Sequence, residues 1–428
     1  MLHEFYSQAG ITGEIVNLAK TAEQNCAQQF LEIEERKQYH QLRVNQAFHQ
    51  HGLQASDFAG STGYGYDDGG RARLEAVWAE LFEAEAALVR HQFSSGTHVL
   101  ATCLKAILRP GDELLIASGE LYDTLKPTLG IGQTTDSTSL KDFGITYKQI
   151  DLKEDFSLDI PAVLANINSQ TKMVYIQKSR GYSLRPALTN QQIAELVKAV
   201  KEQYSELCIM VDNCYGEFVE LTEPTMHGVD ICAGSLIKNP GGGIAPTGGY
   251  VVGKSKYLEL VAQQFTAPGV GNHIGATTTF NRLLFQGLYS APQAVAEALK
   301  IATFTAELLM LAGYQVEPKR QDKRADIVQI VQLANAKELI VYCQAIQEMA
   351  AVDSMFKPQP APMAGYDCDI IMASGSFIQG SSIELSADGP LREPFAVFQQ
   401  GGLSYAVGRL AVCMALQNVA KLKDGQGD

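Results

Sequence analysis

The segment 207–243, LCIMVDNCYGEFVELTEPTMHGVDICAGSLIKNPGGG, constrains the fold of this chain more than any other stretch. It contains two short runs that predict strands, 207–211 and 230–235. The first run is apolar at every position, which is typical of a strand buried on both faces in a parallel sheet. Asp212 follows the first run and Lys238 follows the second, so both are expected at one edge of the sheet. Open α/β folds bind their ligands at that edge.

Lys238 and Asp212 together indicate a cofactor with a carbonyl group. Lys238 is soon followed by Pro240 and three glycines, which let backbone approach a ligand closely. A lysine in such a position suits a Schiff base with a cofactor aldehyde, and an aspartate can keep the nitrogen of a pyridinium ring protonated. The alternative is a surface lysine beside a loop and an aspartate that caps a turn. Each residue taken alone is more often of that kind.

Size and charge exclude several classes of protein. A chain of 428 residues is too long for one small core and predicts two or three domains. The formal charge of −13, from 34 Lys and Arg against 47 Asp and Glu, argues against a nucleic acid or an anionic membrane as partner. The start of the chain has no apolar signal region, and no apolar run approaches membrane-spanning length. We therefore expect a cytoplasmic protein.

The cysteines and histidines do not form a metal-binding pattern. The eight cysteines are scattered without a C-x-x-C pair, and several occupy apolar positions, so we expect buried free thiols in a reducing compartment. The histidines never combine H-x-x-x-H spacing with a nearby acidic residue, so we expect no zinc site.

Strand-like and helix-like segments alternate through the middle of the chain. Strands are predicted at 86–91, 112–117, 145–150, 172–177, 207–211, 230–235 and 249–252. Helices are predicted at 71–83, 97–108 and 189–204, the last with a capping-box start at Thr189. Repeated βα units predict an α/β fold, with a mostly parallel sheet flanked by helices on both sides.

The two ends of the chain differ from this middle part. Residues 17–51 have helical spacing but no core of their own, which predicts an arm that packs on the main domain or on a second subunit. The later predicted elements are a helix at 293–311, a strand after residue 314, a strand and helix within 326–350, strands near 369–373 and 381–386, and a helix at 405–422. We divide the chain into an N-terminal helical arm (1–59), a cofactor-binding α/β domain (60–300) and a smaller C-terminal α+β domain (301–428).

Two further strand ends carry candidate ligand contacts. The segment 94–97, SSGT, follows a predicted strand and opens a helix, where free N–H groups and the helix dipole favour phosphate. The alternative there is simple N-capping by Ser95. Tyr122 follows another predicted strand, where it can stack on a flat ring or be a partly buried structural tyrosine. With Asp212 and Lys238, these strand ends match the phosphate, ring, ring nitrogen and aldehyde of pyridoxal phosphate.

These residues carry a family resemblance. The order Ser95-Gly96-Thr97, Tyr122, Asp212, Ser235-x-x-Lys238 resembles the fold type I pyridoxal-phosphate enzymes of cysteine and methionine metabolism. Within that group, the segments GYGYDDGGR, HQFSSGTHV, VDNCYGEF and SLIKNPGGG are similar to the aluminium-resistance or methionine gamma-lyase-like proteins. The likeness covers roughly residues 60–410.

The resemblance implies a cofactor, pyridoxal 5'-phosphate, and a role for each of these residues. Lys238 forms the Schiff base, Asp212 pairs with the pyridine nitrogen, and Tyr122 stacks on the ring. The phosphate is held by Ser95, Gly96, Thr97 and Ser235.

The early loop 60–70 departs from the family pattern. It contains five glycines and two tyrosines, Tyr64 and Tyr66, which favours a ligand-facing loop over a plain linker. In the better-known lyases an arginine two residues after the loop tyrosine reaches a neighbouring subunit's phosphate, whereas two aspartates follow Tyr66 here. We predict that Arg71 substitutes. By resemblance, Tyr66 and Arg71 act across the two-fold interface of a homodimer or homotetramer, with Tyr64 on the substrate side.

An amino-acid substrate also needs a partner for its carboxylate, and arginine offers a planar bidentate fork. We prefer Arg392, which lies in a glycine-proline segment. The other candidates are Arg409, for which a helix surface charge is the alternative, and Arg180, in QKSRGY at another strand end, for which a surface role is equally open.

The reaction implied by the resemblance is elimination of a β or γ thiol, leaving a keto acid and ammonia, as in a carbon-sulfur lyase. No residue of the chain by itself specifies sulfur. Aminotransferase or aldolase chemistry uses the same first steps, and a protein that keeps the fold and cofactor but only binds a partner is a further alternative.

One competing motif lies at 248–255, where GGYVVGKS matches the phosphate-loop pattern G-x-x-x-x-G-K-[ST]. That pattern requires a strand before its first glycine and a flexible loop between the glycines. Here the strand-like residues 250–252 lie between the glycines. We therefore do not expect a nucleotide hydrolase.

Overall fold

The structure, a computed structural model, describes residues 2–132, 138–363, 366–423 and 425. The chain forms two compact units. One comprises residues 40–289, and the other combines the residues before 40 with those from 290 onward. The division by role into 1–59, 60–300 and 301–428 stays a prediction.

The elements of the described residues are numbered in chain order. The helices are α1 Leu2–Gln8, α2 Gly13–Asn25, α3 Ala27–Gln50, α4 Gly69–Leu81, α5 Gly96–Ile107, α6 Lys126–Leu129, α7 Ile160–Asn166, α8 Asn190–Gln203, α9 Ser255–Phe265, α10 Asn281–Leu311, α11 Ala336–Glu348 and α12 Tyr405–Lys423. The strands are β1 Ala86–Arg90, β2 Glu113–Ile116, β3 Thr146–Gln149, β4 Thr171–Gln177, β5 Cys208–Asp212, β6 Ile231–Ser235, β7 Gly249–Gly253, β8 Gln315–Glu317, β9 Gln329–Gln332, β10 Ile370–Ala373, β11 Ser386–Pro390 and β12 Ala396–Gln400.

The unit formed by residues 40–289 is built on a mixed seven-stranded sheet in the order β1-β7-β6-β5-β4-β2-β3. Strands β3, β2, β4, β5 and β6 pair in parallel, whereas β7 is antiparallel to both of its neighbours. This confirms the predicted α/β class with a mostly parallel sheet. Each strand predicted in this part of the chain is present within two residues of its expected bounds.

The sheet has a hydrophobic core on each face. Cys208 and Met210 pack with α5 and α9, and Ile209 and Val211 pack with α7 and α8. Alternate residues of β5 therefore face opposite cores, which explains why that strand is apolar at every position. The predicted capping box of α8 is present, because Thr189 accepts from the Gln192 N–H and is itself contacted by the Gln192 side chain.

The other unit contains a five-stranded antiparallel sheet in the order β10-β11-β12-β9-β8. Its core includes residues of α2, α11 and α12. The N-terminal helix α2 thus shares a core with the C-terminal sheet, whereas we expected it on the main domain or on another subunit. The C-terminal end is the smaller antiparallel-sheet region that the sequence predicted.

Two predicted elements here have different bounds in the structure, and one strand was not predicted. The strand expected at 381–386 is β11, Ser386–Pro390, and β12 was not predicted. Helix α10 begins at Asn281 rather than 293, because it continues through Pro292. A proline ends a helix only when the lost hydrogen bond and the ring clash are not absorbed by a bend.

The cysteines are all free, and each except Cys368 is buried, which confirms the predicted buried thiols. Within the described ranges, none of the helices combines the length and the apolar character needed to span a bilayer.

Candidate active site

The predicted strand ends meet at one edge of the sheet. Strand β5 pairs in parallel with β4 and β6, so Asp212 lies in register with Gln177 on one side and Ala233 on the other. Ser235 ends β6, and Lys238 follows three residues later. The parallel pairing therefore brings Asp212, Ser235 and Lys238 to the carboxyl edge, as predicted.

Asp212 is buried at the end of β5. Its Oδ1 accepts the backbone N–H of Cys214 at 3.0 Å. Burial raises the pKa of Asp212, while Lys238 and the Cys214 N–H act to lower it. A carboxylate in such a place is suited to hold a cationic partner, because pairing with a positive charge recovers the free energy lost on desolvation.

Lys238 is partly buried, and its amine lies over an aromatic ring. Its Nζ is 3.8 Å from the centroid of the Tyr215 ring. Burial lowers the pKa of Lys238, but neighbouring groups outweigh it and raise that pKa above its ordinary value. The groups that do so are Cys214, Tyr215, Tyr122 and Asp212. Among them, aspartate is the acid that ordinarily ionises below neutral pH.

Two other lysines near sheet ends are engaged in ion pairs. Lys178 is fully buried, with Nζ 3.0 Å from Glu220 Oε2 and 2.7 Å from Asn190 Oδ1. Lys254 is half-exposed and lies 2.6 Å from Asp230 Oδ1. Neither lysine resembles Lys238, which has no carboxylate within ion-pair distance in the described part of the chain.

The start of α5 lies against the end of β6. Ser95 is the N-cap, and its hydroxyl accepts the His98 N–H at 3.1 Å, so the capping alternative holds for this serine. Gly96 opens the helix, and a Cβ built there would be 3.4 Å from the Ser235 Cβ. The helix N-terminus and Ser235 are therefore in direct contact. The Thr97 hydroxyl lies 2.9 Å from the Thr124 hydroxyl.

Tyr122 is partly exposed and is held by its backbone. Its N–H donates to Gln177 Oε1 at 2.6 Å, which ties it to the end of β4. A Cβ at Gly181 would come 3.1 Å from Tyr122 Cδ2, so a larger residue there would press on the ring. Arg180 lies in the same turn and is buried, so the surface alternative for this arginine is wrong.

The loop 60–70 is fastened from within and presents its tyrosines outward. Asp68 caps α4 by accepting the Arg71 N–H at 2.8 Å. The Arg71 guanidinium donates to the carbonyls of Gly65 at 2.8 Å and Gly275 at 2.7 Å, and burial lowers its pKa. Tyr64 and Tyr66 are 69% and 63% exposed. Arg71 therefore holds the loop in its own subunit, a structural role that the sequence did not indicate.

The remaining arginine candidates belong to the other unit. Arg392 is exposed and lies 2.8 Å from Asp367 Oδ1. Arg409 is only 12% exposed, hydrogen-bonds the Tyr6 hydroxyl and lies 3.4 Å from Glu23 Oε2. The alternative of a helix surface charge is therefore wrong for Arg409.

Glu217 is a buried acid near Lys238 that the sequence did not predict as a site residue. Glu217 is fully buried, and its Oε1 accepts the Tyr250 hydroxyl at 2.8 Å. Burial raises the pKa of Glu217 to about 8, while Tyr250 and Lys238 act to lower it. A Cβ at Gly234 would lie 2.7 Å from Glu217 Oε1, so the glycine inside β6 makes room for this carboxyl group. Gly234, a glycine inside a predicted strand, is the sequence feature that indicates a close approach at this point.

The competing phosphate-loop motif is excluded by its structure. Strand β7 runs through the middle of the motif, from Gly249 to Gly253. Because β7 is antiparallel to β6, the Lys254 end lies at the opposite edge of the sheet from Lys238.

The site fits pyridoxal phosphate. A glycine-opened helix end beside Ser235 suits a phosphate, because its N–H groups point outward and a side chain at Gly96 would fill the space. The amine of Lys238 and the carboxylate of Asp212 suit the aldehyde and the ring nitrogen. The chain therefore has the fold of the pyridoxal-phosphate enzymes of fold type I, and the residues at its carboxyl edge fit that cofactor. The pyridoxal-5'-phosphate dependent protein YhfS from Escherichia coli shares the fold, with a TM-score of 0.60 at 19% identity over 91% of this chain and 97% of that chain.

Comparison with known families makes the assignment more specific. The methionine gamma-lyase family model matches residues 15–420. The chain therefore belongs to the methionine gamma-lyase family.

Two relatives are similar over nearly the whole chain. The Bacillus subtilis (strain 168) protein YnbB is 46% identical over 388 residues, which are 91% of this chain and 92% of that protein. A carbon-sulfur lyase involved in aluminium resistance from Clostridium novyi NT superposes with a TM-score of 0.93 at 41% identity, covering 97% of this chain and 98% of that chain. The L-methionine gamma-lyase of Pseudomonas deceptionensis is 28% identical over 45% of this chain and 43% of its own length.

Proposed function

We propose that this protein uses pyridoxal phosphate at Lys238 to cleave the carbon–sulfur bond of a sulfur-containing amino acid. One amino acid and one water would give a thiol, a keto acid and ammonia. The observation that carries the proposal is the convergence of Asp212 and Lys238 at the carboxyl ends of adjacent parallel strands. The sulfur chemistry is supported by the similarity of this chain to the carbon-sulfur lyase of Clostridium novyi.

The residues of the site divide the work. Pyridoxal phosphate, when bound, supplies an electron sink that acidifies the α-hydrogen of the amino acid. Lys238 Nζ would hold the cofactor aldehyde, and its amine would carry the α-proton of the substrate. The Asp212 carboxylate keeps the ring nitrogen protonated, because an adjacent anion favours the charged form. Tyr122 would stack on the ring. Gly96, Thr97 and Ser235 would hold the phosphate, beside the helix end that Ser95 caps.

Arg392 is our first candidate for the substrate carboxylate. Its contact with Asp367 is exposed at the surface, and such pairs contribute little free energy, so it can exchange partners. Arg409 is held by Tyr6 and Glu23. Arg180 is the next candidate. Replacing each arginine by Lys should raise the half-saturation concentration of the amino acid for one of them only, and unchanged values for all three would contradict this assignment.

The active site is completed by a second subunit in a homodimer or homotetramer. The support is the fixed loop 60–70 with its outward tyrosines. We propose that Tyr66 acts on the neighbouring cofactor site, with Tyr64 on the substrate side. The Arg71 contacts within its own subunit favour support of Tyr66 over direct contact with the neighbour's phosphate.

A mixing experiment tests this sharing. Lys238→Ala and Tyr66→Ala, each inactive alone, are unfolded and reassembled together. If sites are shared, half of the subunit pairs are mixed and each has one intact site, so about a quarter of wild-type activity should return. Sites built from a single chain recover no activity in any mixture.

The reaction itself is tested by a visible spectrum of the purified protein followed by an amino-acid panel. The expected result is a cofactor absorption band and release of thiol, keto acid and ammonia in equal amounts from one sulfur amino acid. Keto acid without thiol would favour an aminotransferase, and a band without turnover of any amino acid would favour a binding protein.

A further inference from the structure

The turn after β5 has a conformation that must be maintained by its surroundings. Tyr215 has a φ of 72°, in the left-handed region that non-glycine residues rarely adopt. The neighbouring Gly216 would clash if it carried a side chain, since a Cβ there would lie 2.6 Å from Asn213 Oδ1 and 2.9 Å from Lys178 Cδ. The backbone of the turn is therefore packed closely against Asn213 and Lys178.

Asn239, the residue directly after Lys238, holds this turn. Its side chain is fully buried, and its Nδ2 donates to the carbonyls of Tyr215 at 2.9 Å and Glu217 at 3.0 Å. The same short segment thus carries the amine and clamps the ring beneath it. These bonds fix the backbone of the turn that carries Tyr215 relative to the backbone beside Lys238.

The Tyr215 ring lies directly against the lysine amine. Nζ lies 3.8 Å from the ring centroid, well inside the range of a cation–π interaction. The other titratable groups that act on the amine are Asp212, Cys214 and Tyr122, with Glu217 on the same turn. Burial raises the pKa of the Cys214 thiol well above its ordinary value, so the thiol is neutral at physiological pH.

We propose that Tyr215 is a positioning residue that holds the Lys238 amine against its ring whenever that amine is not bound to the cofactor. The inference rests on the proposed function, in which Lys238 binds the cofactor aldehyde. Without such a contact, a lysine side chain samples many rotamers, and its return to the reacting atoms is slower. The ring face attracts the ammonium form, so it also keeps a proton on Nζ between reactions.

The test measures the Lys238 amine directly in the full-length protein from which the cofactor has been removed. The rate of acetylation of Lys238 by acetic anhydride is followed against pH by peptide mass mapping. Tyr215→Leu should increase that rate near neutral pH by roughly 2- to 30-fold, because loss of a cation–π contact increases the fraction of neutral amine. Tyr215→Phe keeps the ring face and should retain the wild-type profile.

The controls separate positioning from packing. Lys254 acetylation, measured in the same digests, should not change, because Lys254 pairs with Asp230 at the opposite edge of the sheet. A Tyr215→Leu profile equal to wild type would overturn the proposal, as would a Phe variant that behaves like Leu. If Tyr215→Leu does not fold, Asn239→Ala, which frees the turn, should shift the profile in the same direction, and no shift there would overturn the proposal.

The same samples distinguish this inference from the proposed function. Borohydride reduction of the cofactor-loaded wild type shows whether Lys238 carries pyridoxal phosphate. Suppose that Tyr215→Leu accelerates Lys238 acetylation as expected, but that no pyridoxyl group is found on Lys238. That result would contradict the proposed function and would still support the contact between the Tyr215 ring and the amine.

Discussion

Two lysines follow strands of the same parallel sheet, and their surroundings differ completely. Lys178, directly after β4, is fully buried and lies 3.0 Å from Glu220 Oε2. Lys238, beyond β6, lies over the Tyr215 ring, with Asp212 near but not paired to it. A neutralised lysine stabilises the fold, whereas a lysine without a carboxylate partner is available for chemistry. The difference identifies the reactive lysine more securely than its sequence position does.

The strongest way to break this comparison is to remove each lysine and follow the cofactor. Lys238→Ala should lose the borohydride-fixed pyridoxyl group and the proton-transfer step, a loss of about 10²–10⁴-fold in rate from the latter alone. Lys178→Ala should keep the pyridoxyl group on Lys238, as peptide mass mapping would record. Finding the group on Lys178 or Lys254 would reverse the assignment.

A second prediction concerns the anion that lies near Lys238 without pairing to it. Asp212→Asn should still bind the cofactor but turn over on the order of 10²-fold more slowly, the usual worth of one electrostatic contact at a reacting centre. The absorption band and the rate are measured on the same sample. Near-normal turnover would remove Asp212 from the proposed role.

The two lysines should rank in the opposite order for stability: replacing Lys178 should destabilise the protein more than replacing Lys238. Lys178→Met removes one partner of a buried ion pair and should lower the free energy of unfolding by about 3 kcal/mol. Lys238→Met is the matched control and should change it by less than about 1 kcal/mol, because no ion pair is broken. Urea unfolding of both variants measures these changes. Equal decreases in the free energy of unfolding would contradict the difference between the two lysines.

A further prediction concerns the pH dependence that the buried acid beside the site causes. The pKa of Glu217 is raised by burial from 4.5 to about 8. Its protonation therefore contributes stability that is complete below pH 4.5 and is lost as the pH rises to 8, with a slope of up to about 1.4 kcal/mol per pH unit. Glu217→Gln should remove that slope from urea unfolding measured between pH 5 and 8. A slope that persists in the variant would show that other groups cause it.

The local pattern of the sequence determined much of the fold. Most strands of the seven-stranded sheet follow from short apolar runs, with the exposed β3 as the exception, and β5 is recognisable because alternate residues face two cores. Its parallel pairing with β6 then requires Asp212 and Lys238 to share an edge. These inferences succeeded because burial on both faces of a strand affects every residue of that strand, so neighbouring residues carry the signal.

The tertiary structure decided which polar groups meet. Arg71 binds the carbonyl of Gly275, and Glu217 lies against Tyr250, although both pairs are far apart in sequence. The Tyr215 ring lies beside the Lys238 amine, and Asn239 stabilises that turn by a hydrogen bond to the Tyr215 carbonyl. Hydrogen bonds and ring contacts of this kind depend on distances of a few ångströms between segments that the fold brings together, and residue types and local periodicity do not encode those distances.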